Sequence, residues 1–370
     1  MADLFGTYSK RIKLTISNTN IDAELTWFPI TVFLTSAQGE EVFAEFDADG
    51  DFDRVAFTTS DESTQLYADC ELFDDSESKA IYHVSKTGWA ISNTGTTDFY
   101  MYYDDNAGHN TTYISKSGGT AAQSAWDGNF KAVYHMNDGA STSAIYDSTS
   151  NNNDGTKEAA NEPIEATGKV GKGQDFDGTN DRITVANNEG LDALDPYDNS
   201  YTLEFIVNAP EQGAGGFRIL EKWVNGVTGY PFSFQGGAGA TFTFAAWDGT
   251  NNPSLASPTA FDSTYKYFAS IVDHDTDQLK ISLNGGAFTT ETNTITGAIT
   301  NAADVYIGNR GLDTTRPFDG ILDEIRISST NRSASWLKAT YNSLWDTLLT
   351  YGSEETGAAA DNAIFFSMNF

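Results

Sequence analysis

Three aromatic residues in the second half of the chain have the chemistry to bind a sugar. Trp223, Tyr230 and Trp247 flank loop segments that also carry amide side chains, among them Asn251 and Asn252. An aromatic ring packs against the apolar face of a pyranose, and neighbouring amides hydrogen-bond to its hydroxyl groups. The alternative is that these rings are ordinary core or loop aromatics, in a chain of which 13% is aromatic. The pattern indicates a carbohydrate-binding surface.

Carboxylates and histidines are the other candidate groups, and their spacing argues against an enzyme. A retaining glycosidase needs two carboxyl groups about 5–5.5 Å apart. Asp323 and Glu324 are adjacent, so on a regular strand they would point to opposite faces. The 4 histidines are widely separated and lack metal-ligand spacing, and His135, within an apolar strand pattern, is predicted to be a core histidine. We therefore predict no catalytic residues.

Composition and charge restrict the partners of the protein. The chain has 370 residues, which is enough for two domains with separate cores. Its 52 acidic residues against 21 basic ones give a formal net charge of −31, which disfavours nucleic-acid binding. Cys70 is the single cysteine, so no intramolecular disulfide can form. The sequence shows no secretion signal and no apolar run of the ~18 residues that a membrane helix needs, so we expect no membrane span. If the protein acts outside a cell, we expect it to leave by release of an assembled particle.

Residues 1–105 are predicted to form an N-terminal β-sandwich. Ile12, Leu14 and Ile16 alternate with polar residues, which is the period of a half-buried strand, and further strand patterns follow. Four segments occur in the order seen in a bacterial and phage domain family of unknown function, and they are 10–16, 51–57, 71–74 and 102–106. The domain resembles that family, although Asp104 and Asp105 stand in place of its closing glycine.

A linker and a second β-sandwich are predicted to follow. Residues 106–125 are rich in Gly, Ser, Thr, Ala and Asn, which is typical of a connector, and residues 126–350 return to strand patterns. The clearest strand contains Ile325 and Ile327, which alternate with polar residues. Ser333 is expected to cap a short amphipathic helix after this strand, because its hydroxyl can accept a hydrogen bond from the first turn.

An ordered series of motifs runs through this second domain. The motifs are V-Y-H-M (133–136), D-S-T-S-N-N-N-D-G-T (147–156), F-D-G-T-N-D-R-I (176–183), T-L-E-F (202–205), L-N-G-G (283–286), I-G-N-R (307–310) and L-D-E-I-R-I (322–327). The series resembles the laminin-G-like branch of the concanavalin A-like lectin/glucanase domains. Together with the first domain, the resemblance implies an all-β protein with two tandem β-sandwiches, the second a concanavalin A-like jelly roll.

The same resemblance implies a structural calcium ion. Asp147, Asp154, Asp177 and Asp323 lie in or beside the turns that laminin-G-like domains use for this ion. Calcium takes six to eight oxygen ligands, so carboxylates from separate loops can converge on it together with backbone carbonyls. The alternative is that aspartate occurs here because it favours turns. Calcium is the predicted cofactor.

These features predict a non-enzymatic structural or adhesion protein. We expect a component of a phage virion, such as a decoration, tail or fibre protein, that displays a lectin-like domain. Its expected location is the virion, and its expected partners are other virion proteins, further copies of itself and cell-surface glycans. The alternative is a bacterial or archaeal carbohydrate-binding adhesin at the cell surface, or released from it.

Residues 351–370 are predicted to be a C-terminal tail. A small, polar run is followed by an apolar end, and its apolar residues are Ile364, Phe365, Phe366, Met368 and Phe370. An exposed apolar cluster favours aggregation unless something covers it. We expect this end to add a strand to a neighbouring subunit or shell protein, with docking on its own sandwich as the alternative.

Overall fold

Strands make up most of the secondary structure, so the predicted all-β fold class is confirmed. The computed structural model describes residues 4–46, 48–138, 142–213, 215–224, 228–237, 239–299, 301–311 and 313–357. The apolar end predicted to reach a neighbouring subunit lies outside the described residues.

The first part of the chain contains short strands with two single-turn helices. The strands are β1 (Lys10–Ile16), β2 (Leu25–Thr26), β3 (Ile30–Leu34), β4 (Val55–Thr59), β5 (Gln65–Asp74), β6 (Lys79–Ser85), β7 (Ala90–Ile91), β8 (Thr97–Tyr103) and β9 (Ile114–Lys116). The helices are α1 (Glu40–Phe43) and α2 (Thr120–Gln123), and single 3-10 turns occupy Leu4–Gly6, Asn18–Asn20 and Asp49–Asp51.

The second part of the chain continues in strands up to one longer helix and a last strand. The strands are β10 (Phe130–Tyr134), β11 (Ala144–Ile145), β12 (Gly155–Lys157), β13 (Ile164–Thr167), β14 (Lys172–Asp177), β15 (Ile183–Val185), β16 (Tyr201–Asn208), β17 (Phe217–Glu221), β18 (Tyr230–Gly236), β19 (Thr243–Trp247), β20 (Ser254–Ala256), β21 (Lys266–Asp273), β22 (Gln278–Leu283), β23 (Thr289–Thr292), β24 (Val305–Ile307), β25 (Asp319–Ser328) and β26 (Leu349–Thr356). The helices are α3 (Glu189–Asp192) and α4 (Ala334–Leu344), with a 3-10 turn at His274–Thr276.

The first domain is built around one sheet that folds over on itself. Its strand order is β26-β1-β8-β4-β5-β6-β3, and β9 pairs in parallel with β5. Apolar side chains from opposite ends of the sheet, such as Ile12 of β1 and Val32 of β3, belong to one buried cluster. The two edge strands meet where the backbone N–H of Phe33 donates a 3.0 Å hydrogen bond to the hydroxyl of Tyr351. The two layers of the predicted N-terminal sandwich are therefore the two halves of one curled sheet, which is continuous through the pairing of β4 with β5.

The second domain is a sandwich of two sheets. The inner sheet has the order β13-β14-β25-β16-β21-β22-β23, with β10 also paired to β25, and the outer sheet has the order β11-β12-β15-β24-β17-β18-β19-β20. Their facing sides share one apolar core, which includes Phe205 and Phe268 from the inner sheet and Phe234 from the outer sheet. This is the arrangement expected of the second domain.

The inner sheet is covered on both faces. Phe205 and Phe268 point into the core of the second domain, while Ile206, Tyr267 and Ile271 belong to the apolar cluster of the first domain. All eight residues of β21 are buried, which explains why its sequence is nearly continuous in apolar residues instead of alternating. The two domains therefore share an extended apolar interface.

Helix α4 and strand β26 return the chain to the first domain. The hydroxyl of Ser333 accepts a 3.2 Å hydrogen bond from the backbone N–H of Trp336, so the predicted helix cap is confirmed. The ring of Trp336 packs edge-on against Phe28, with ring centroids 4.9 Å apart. Strand β26 then pairs antiparallel with β1, with Tyr351 opposite Leu14.

These contacts change two of the predicted boundaries. Within residues 106–125, predicted to be a linker, β9 extends the first sheet and α2 contributes buried Ala121 and Ala122. Residues 351–356, predicted to begin a tail, lie in an edge strand of the first sheet. Both segments are polar in composition, but their backbone groups are paired by strands that are distant in the sequence, and composition cannot show this.

Truncation can test the role of the last strand. A chain that ends at Leu348 is expected to melt at a lower temperature than one that ends at Gly357, because only the longer chain keeps β1 paired on both sides. Each kcal/mol lost should lower the melting temperature by roughly 2–4 °C. Calorimetry on both truncations and the full chain measures the difference. Equal melting temperatures for the two truncations would show that β26 contributes nothing to the first domain.

Candidate functional site

The exposed face of the outer sheet is the first candidate site. Side chains alternate along its strands, so that Phe232, Phe234 and Phe244 point into the core while Gln235 and Thr243 point outwards. Gln235 lies opposite Arg218 on one side and Thr243 on the other, so polar side chains of three strands form a row. A regular alternation of apolar and polar residues thus produces a polar face on a rigid sheet.

A groove of about 560 Å³ runs over this row, and we call it the polar groove. Its polar lining residues are Arg218, Gln235, Thr243, Asn252, Ser254 and Arg316. Gly216 and Gly236 form part of its wall; a Cβ on Gly216 would lie 2.6 Å from the carbonyl oxygen of Gly236. This wall therefore needs glycine at position 216, which also has a positive φ of 81°.

The structure brings two of the three predicted sugar-binding aromatics together. Tyr230 and Trp247 are opposite each other on β18 and β19, with ring centroids 6.0 Å apart, and both are partly exposed. The hydroxyl of Tyr230 donates a 3.1 Å hydrogen bond to Oδ1 of Asn252, which lines the polar groove. Trp223 lies elsewhere on the same domain, with the guanidinium of Arg310 5.5 Å from its ring centroid.

Charges on this face are paired at its centre. Nε of Arg218 donates a 2.9 Å hydrogen bond to Oε2 of Glu221, and burial lowers the pKa of Arg218 while it raises the pKa of Glu221. Arg316 also lines the groove, and no ion pair of its guanidinium is found among the described residues. The groove therefore offers a guanidinium to a ligand, on a chain whose net charge is −31.

Asp147, predicted to bind calcium, has both carboxylate oxygens occupied by the protein itself. Oδ1 accepts hydrogen bonds from the backbone N–H groups of Val133 and Thr149, and Oδ2 accepts them from Asn153 N and the Thr149 hydroxyl, at 2.8–3.0 Å. Burial raises the pKa of Asp147 to about 6, although these donors favour the ionised form. Asp154 is adjacent, because its Oδ1 accepts a 2.8 Å hydrogen bond from Asp147 N.

The other two predicted calcium ligands lie apart from this pair. Asp177 is exposed at the end of β14, opposite Asp319 of β25. Asp323 is fully buried at the domain interface, where its Oδ2 accepts hydrogen bonds from Lys169 N and Val170 N at 2.8 and 2.9 Å. Within the described ranges, none of the four aspartates belongs to a group of three or more closely spaced metal-binding side chains. Calcium binding stays a prediction.

A second candidate site, absent from the sequence predictions, lies between the domains. Glu71 of β5 and His83 of β6 meet His135, which follows β10, and Glu324 of β25, and we call these four residues the interface cluster. One donor atom from each lies within 4.8 Å of the others, and all four residues are buried. The two imidazole rings stack almost in parallel, with centroids 4.4 Å apart.

Burial and mutual charge shift the titration of the interface cluster strongly. Burial raises the pKa of Glu71 well above its usual value, and the carboxylates of Glu324 and Asp323 add to this effect. Burial also lowers the pKa of His83 to about 3, with His135 as a further cause. Burial opposes protonation of His135 as well, but Glu324 and Asp69 outweigh it and raise the pKa of this residue well above 6.5.

A β-bulge places both acids of the Asp323-Glu324 pair at the interface. Between the pairs Glu204–Arg326 and Ile206–Asp323, β25 has one residue more than β16, and Glu324 has a φ of +48°. The prediction that the two carboxylates point to opposite faces assumed a regular strand, and it is wrong, because the bulge breaks the alternation. Both acids are buried, and both raise the pKa of Glu71.

The histidines share a local signal that sequence spacing misses. His83 lies in the run Tyr82-His83-Val84, and His135 lies in Tyr134-His135-Met136, so each follows a tyrosine within an apolar strand pattern. His135 is buried, as predicted for a core histidine, and its ring packs on that of His83. Two buried histidines in similar strands, near acids on other strands, can indicate a shared polar cluster, but only the fold shows that they meet.

Comparison with known families places the second domain in a structural class. A laminin-G-type model of the Concanavalin A-like lectin/glucanases superfamily matches residues 177–338. This range lies within the second domain, so the predicted concanavalin A-like, laminin-G-like fold of that domain is confirmed. The match does not extend to the first domain, whose resemblance to a phage family stays a prediction. No curated protein matches the chain.

Several solved structures are similar to the chain. The binding domain of Paraclostridial Mosquitocidal Protein 1 aligns at 14% identity and a TM-score of 0.47, over 58% of this chain and 52% of that one. The binding domain of botulinum neurotoxin serotype G aligns at 12% identity and a TM-score of 0.47, over 58% of this chain and 50% of that one. The third structure is domain 4 of AbnA, a GH43 extracellular arabinanase from Geobacillus stearothermophilus, in complex with arabinotriose. It aligns at 20% identity and a TM-score of 0.42, over 57% of this chain and 97% of that one. The chain thus spans about half the length of the two toxin domains.

Substitution of Asp147 separates its role in the loop from calcium binding. Asp147→Asn should destabilise the protein by about 1–3 kcal/mol in the presence of EGTA, because the amide cannot accept the hydrogen bonds of one carboxylate oxygen and leaves buried donors unpaired. Asp177→Asn is the matched control, since Asp177 is exposed and its amide oxygen can still accept the hydrogen bond from Thr179 N. Denaturant unfolding measures both.

The same two variants test the predicted calcium ion. Calcium binding through these residues should raise the melting temperature of the unmodified chain above its value in EGTA, and Asp177→Asn should reduce that rise. A melting temperature independent of calcium would contradict the calcium prediction. A fully stable Asp147→Asn variant in EGTA would contradict the loop role.

Proposed function

We propose that the second domain binds carbohydrate, with the polar groove and the Tyr230–Trp247 pair as the binding surface. The observation that carries this proposal is the direct link between the two, because the hydroxyl of Tyr230 is hydrogen-bonded to groove residue Asn252. The match of residues 177–338 to the lectin/glucanase superfamily supports it. A sugar needs both an aromatic surface and convergent polar groups, and this face offers both within one site.

The size and lining of the groove fit such a ligand. Its volume of about 560 Å³ lies in the range of small-molecule sites. Gln235, Asn252 and Thr243 provide donors and acceptors that sugar hydroxyl groups require. Gln235 and Thr243 project from paired strands, and Asn252, in the loop between β19 and β20, is held by the hydroxyl of Tyr230, so the site is in place before a ligand arrives.

The two arginines of the groove favour a sugar with an acidic group. Arg316 has no ion pair among the described residues, and Arg218 shares its charge with Glu221. A carboxylate or sulfate on the ligand would pair with a guanidinium in two-pronged geometry. We therefore infer that acidic glycans bind more tightly than neutral ones.

The groove is proposed to bind its ligand without hydrolysing it. Glycoside hydrolysis needs two carboxyl groups about 5–9.5 Å apart across the scissile bond. None of the described residues that line the groove is an aspartate or a glutamate. Glu221, the nearby acid, is already engaged by Arg218 and by the backbone N–H of Gly311.

Glycan binding by variants tests this proposal. Trp247→Ala should weaken binding by about tenfold, because an aromatic contact contributes up to about 1.5 kcal/mol. Arg316→Gln should weaken the binding of acidic glycans selectively. A glycan array that contains uronic-acid, sulfated and neutral glycans identifies ligands, and calorimetry on the full chain measures their affinities.

Tyr197→Ala serves as the matched control, because Tyr197 is an exposed aromatic (41%) of the same domain that does not line the groove. The affinity of this variant for the glycan ligands should equal that of the unmodified chain. Binding that survives Trp247→Ala and Arg316→Gln unchanged would place the sugar site elsewhere or show that this face has no such role.

We further propose that the chain is a structural and adhesion component of a phage virion. The resemblance of residues 10–106 to a phage and bacterial domain family supports this role, and the broad domain interface would hold the lectin-like domain rigidly on a particle. Mass spectrometry of purified particles should detect the chain in many copies. Detection only on bacterial or archaeal cell surfaces would instead support the adhesin alternative.

A further inference from the structure

The donor atoms of the interface cluster have the spacing of a metal site. Nε2 of His83 lies 2.9 Å from Oε2 of Glu71 and 3.8 Å from Oε1 of Glu324. Nδ1 of His135 lies 3.7 Å from Oε2 of Glu71 and is in direct contact with Oε1 of Glu324. Ligands of a four-coordinate zinc-sized ion, with bonds of about 2.0–2.1 Å, are roughly 3.3 Å apart. The four atoms surround a point that such an ion can occupy once the two stacked rings rotate out of parallel, so that both lone pairs face it.

Both imidazoles are oriented by a second partner, as metal-binding histidines usually are. Nε2 of His135 donates to Oδ2 of Asp69 at 3.0 Å, and this carboxylate is itself held by the indole N–H of Trp126 and the hydroxyl of Ser117. Nδ1 of His83 lies 3.2 Å from Oγ1 of Thr31. When these outer nitrogens carry the N–H, the inner nitrogens direct lone pairs at the carboxylates of the cluster.

Buried carboxyl groups at this interface outnumber the buried arginines near them. Five buried carboxyl groups are close together, and they are Asp69, Glu71, Glu204, Asp323 and Glu324. Arg326 is buried among them, and it contacts Oε2 of Glu324 and leaves Oε1 to the cluster. Arg332, also buried near Glu204, is paired with Asp127. Oε2 of Glu71 faces the histidines, while its Oε1, towards Gly171, has no hydrogen-bond partner in the described chain, although the side chain is only 1% exposed. A buried carboxylate without a full set of partners calls for a cation or a proton.

We propose that Glu71, His83, His135 and Glu324 bind a divalent transition-metal ion of the zinc type between the two domains. Imidazole and carboxylate ligands together suit such ions, whereas calcium prefers oxygen ligands alone. Four protein ligands without an exposed position define a structural site, not a catalytic one. Glu71 and His83 come from the first domain, and His135 and Glu324 from the second, so the ion links the two domains.

The competing explanation is a network held by protons alone. In that case each of the two contacts, Glu71–His83 and His135–Glu324, holds one proton. With one proton on Glu71 and the other on His135, only one of the two rings stacked 4.4 Å apart is cationic, and its charge faces the Glu324 carboxylate. One bound ion satisfies both contacts and leaves both rings neutral.

An ion can approach the cluster from a cavity between the domains. This cavity has a volume of about 360 Å³, and Glu71 is among its lining residues, together with Cys70 and Lys116 of the first domain and Asn137 and Lys172 of the second. The cluster itself is closed on the other side by the hairpin between β13 and β14, where a Cβ on Gly171 would lie 2.1 Å from Oε1 of Glu71. Binding is therefore expected to be slow and tight.

Metal analysis of the full chain tests the proposal. The chain is freed of metal with a chelator at mild denaturant concentration, refolded, and titrated with Zn²⁺ alone. About one equivalent of Zn²⁺ should bind and raise the melting temperature, and Co²⁺ in its place should give the intense visible absorption of a four-coordinate site. Glu71→Gln keeps the shape of the side chain and should weaken Zn²⁺ binding by more than the 10–100-fold that loss of an outer partner costs.

Glu204→Gln is the matched control, because Glu204 is buried at the same interface but lies outside the cluster. It should retain both the Zn²⁺-dependent rise in melting temperature and the Co²⁺ spectrum. Thr31→Val should weaken Zn²⁺ binding without abolishing it. The absence of Zn²⁺ uptake would overturn the proposal in favour of a network held by protons. Equal uptake by Glu71→Gln and the unmodified chain would overturn it by showing that Zn²⁺ binds to acidic residues at the surface. A chain that binds only Ca²⁺ would overturn it as well.

Discussion

Burial of charge between two apolar surfaces is the constraint on which this structure depends. Strand β25 places Ile325 and Ile327 in the core of the second domain and Glu324 and Arg326 on the opposite side. Ionised groups removed from water are costly unless they are paired and hydrogen-bonded. Glu324 finds a partner in His135, which in turn needs Asp69 of the first domain. The first domain therefore completes a charge network that the second cannot satisfy alone.

This constraint fixes how the two domains lie against each other. Apolar contacts such as that of Trp336 on Phe28 tolerate small sliding movements, because burial of apolar area is not directional. Hydrogen bonds to buried charges require defined distances and angles, and removing one partner of a buried pair typically costs about 3–5 kcal/mol. The interface thus combines a non-directional driving force with a directional one. With the inner sheet covered in this way, the outer sheet remains the large face of the second domain that is free to meet a ligand.

Sequence patterns predicted the local features of this structure and missed those that depend on remote partners. The helix cap at Ser333 follows from the chemistry of neighbouring residues. The interface cluster does not follow from neighbouring residues, because its four side chains come from four separate segments that only the fold brings together. For the same reason β26 looked like the start of a tail, since a short polar edge strand is recognisable only by its partner β1.

The bulge in β25 shows why the prediction of a regular strand is wrong at this interface. A non-glycine residue with positive φ, such as Glu324, costs of order 1 kcal/mol or more, and the bulge also interrupts the pairing with β16. A conformation of this kind persists only where the surrounding contacts compensate for it. A regular strand would turn one of the two acids, Asp323 or Glu324, into the apolar core. The bulge instead lets Asp323 accept the backbone N–H groups of Lys169 and Val170 while Glu324 reaches His135. The strain at Glu324 and the charge network are therefore two consequences of one requirement: both carboxylates must leave the core of the second domain.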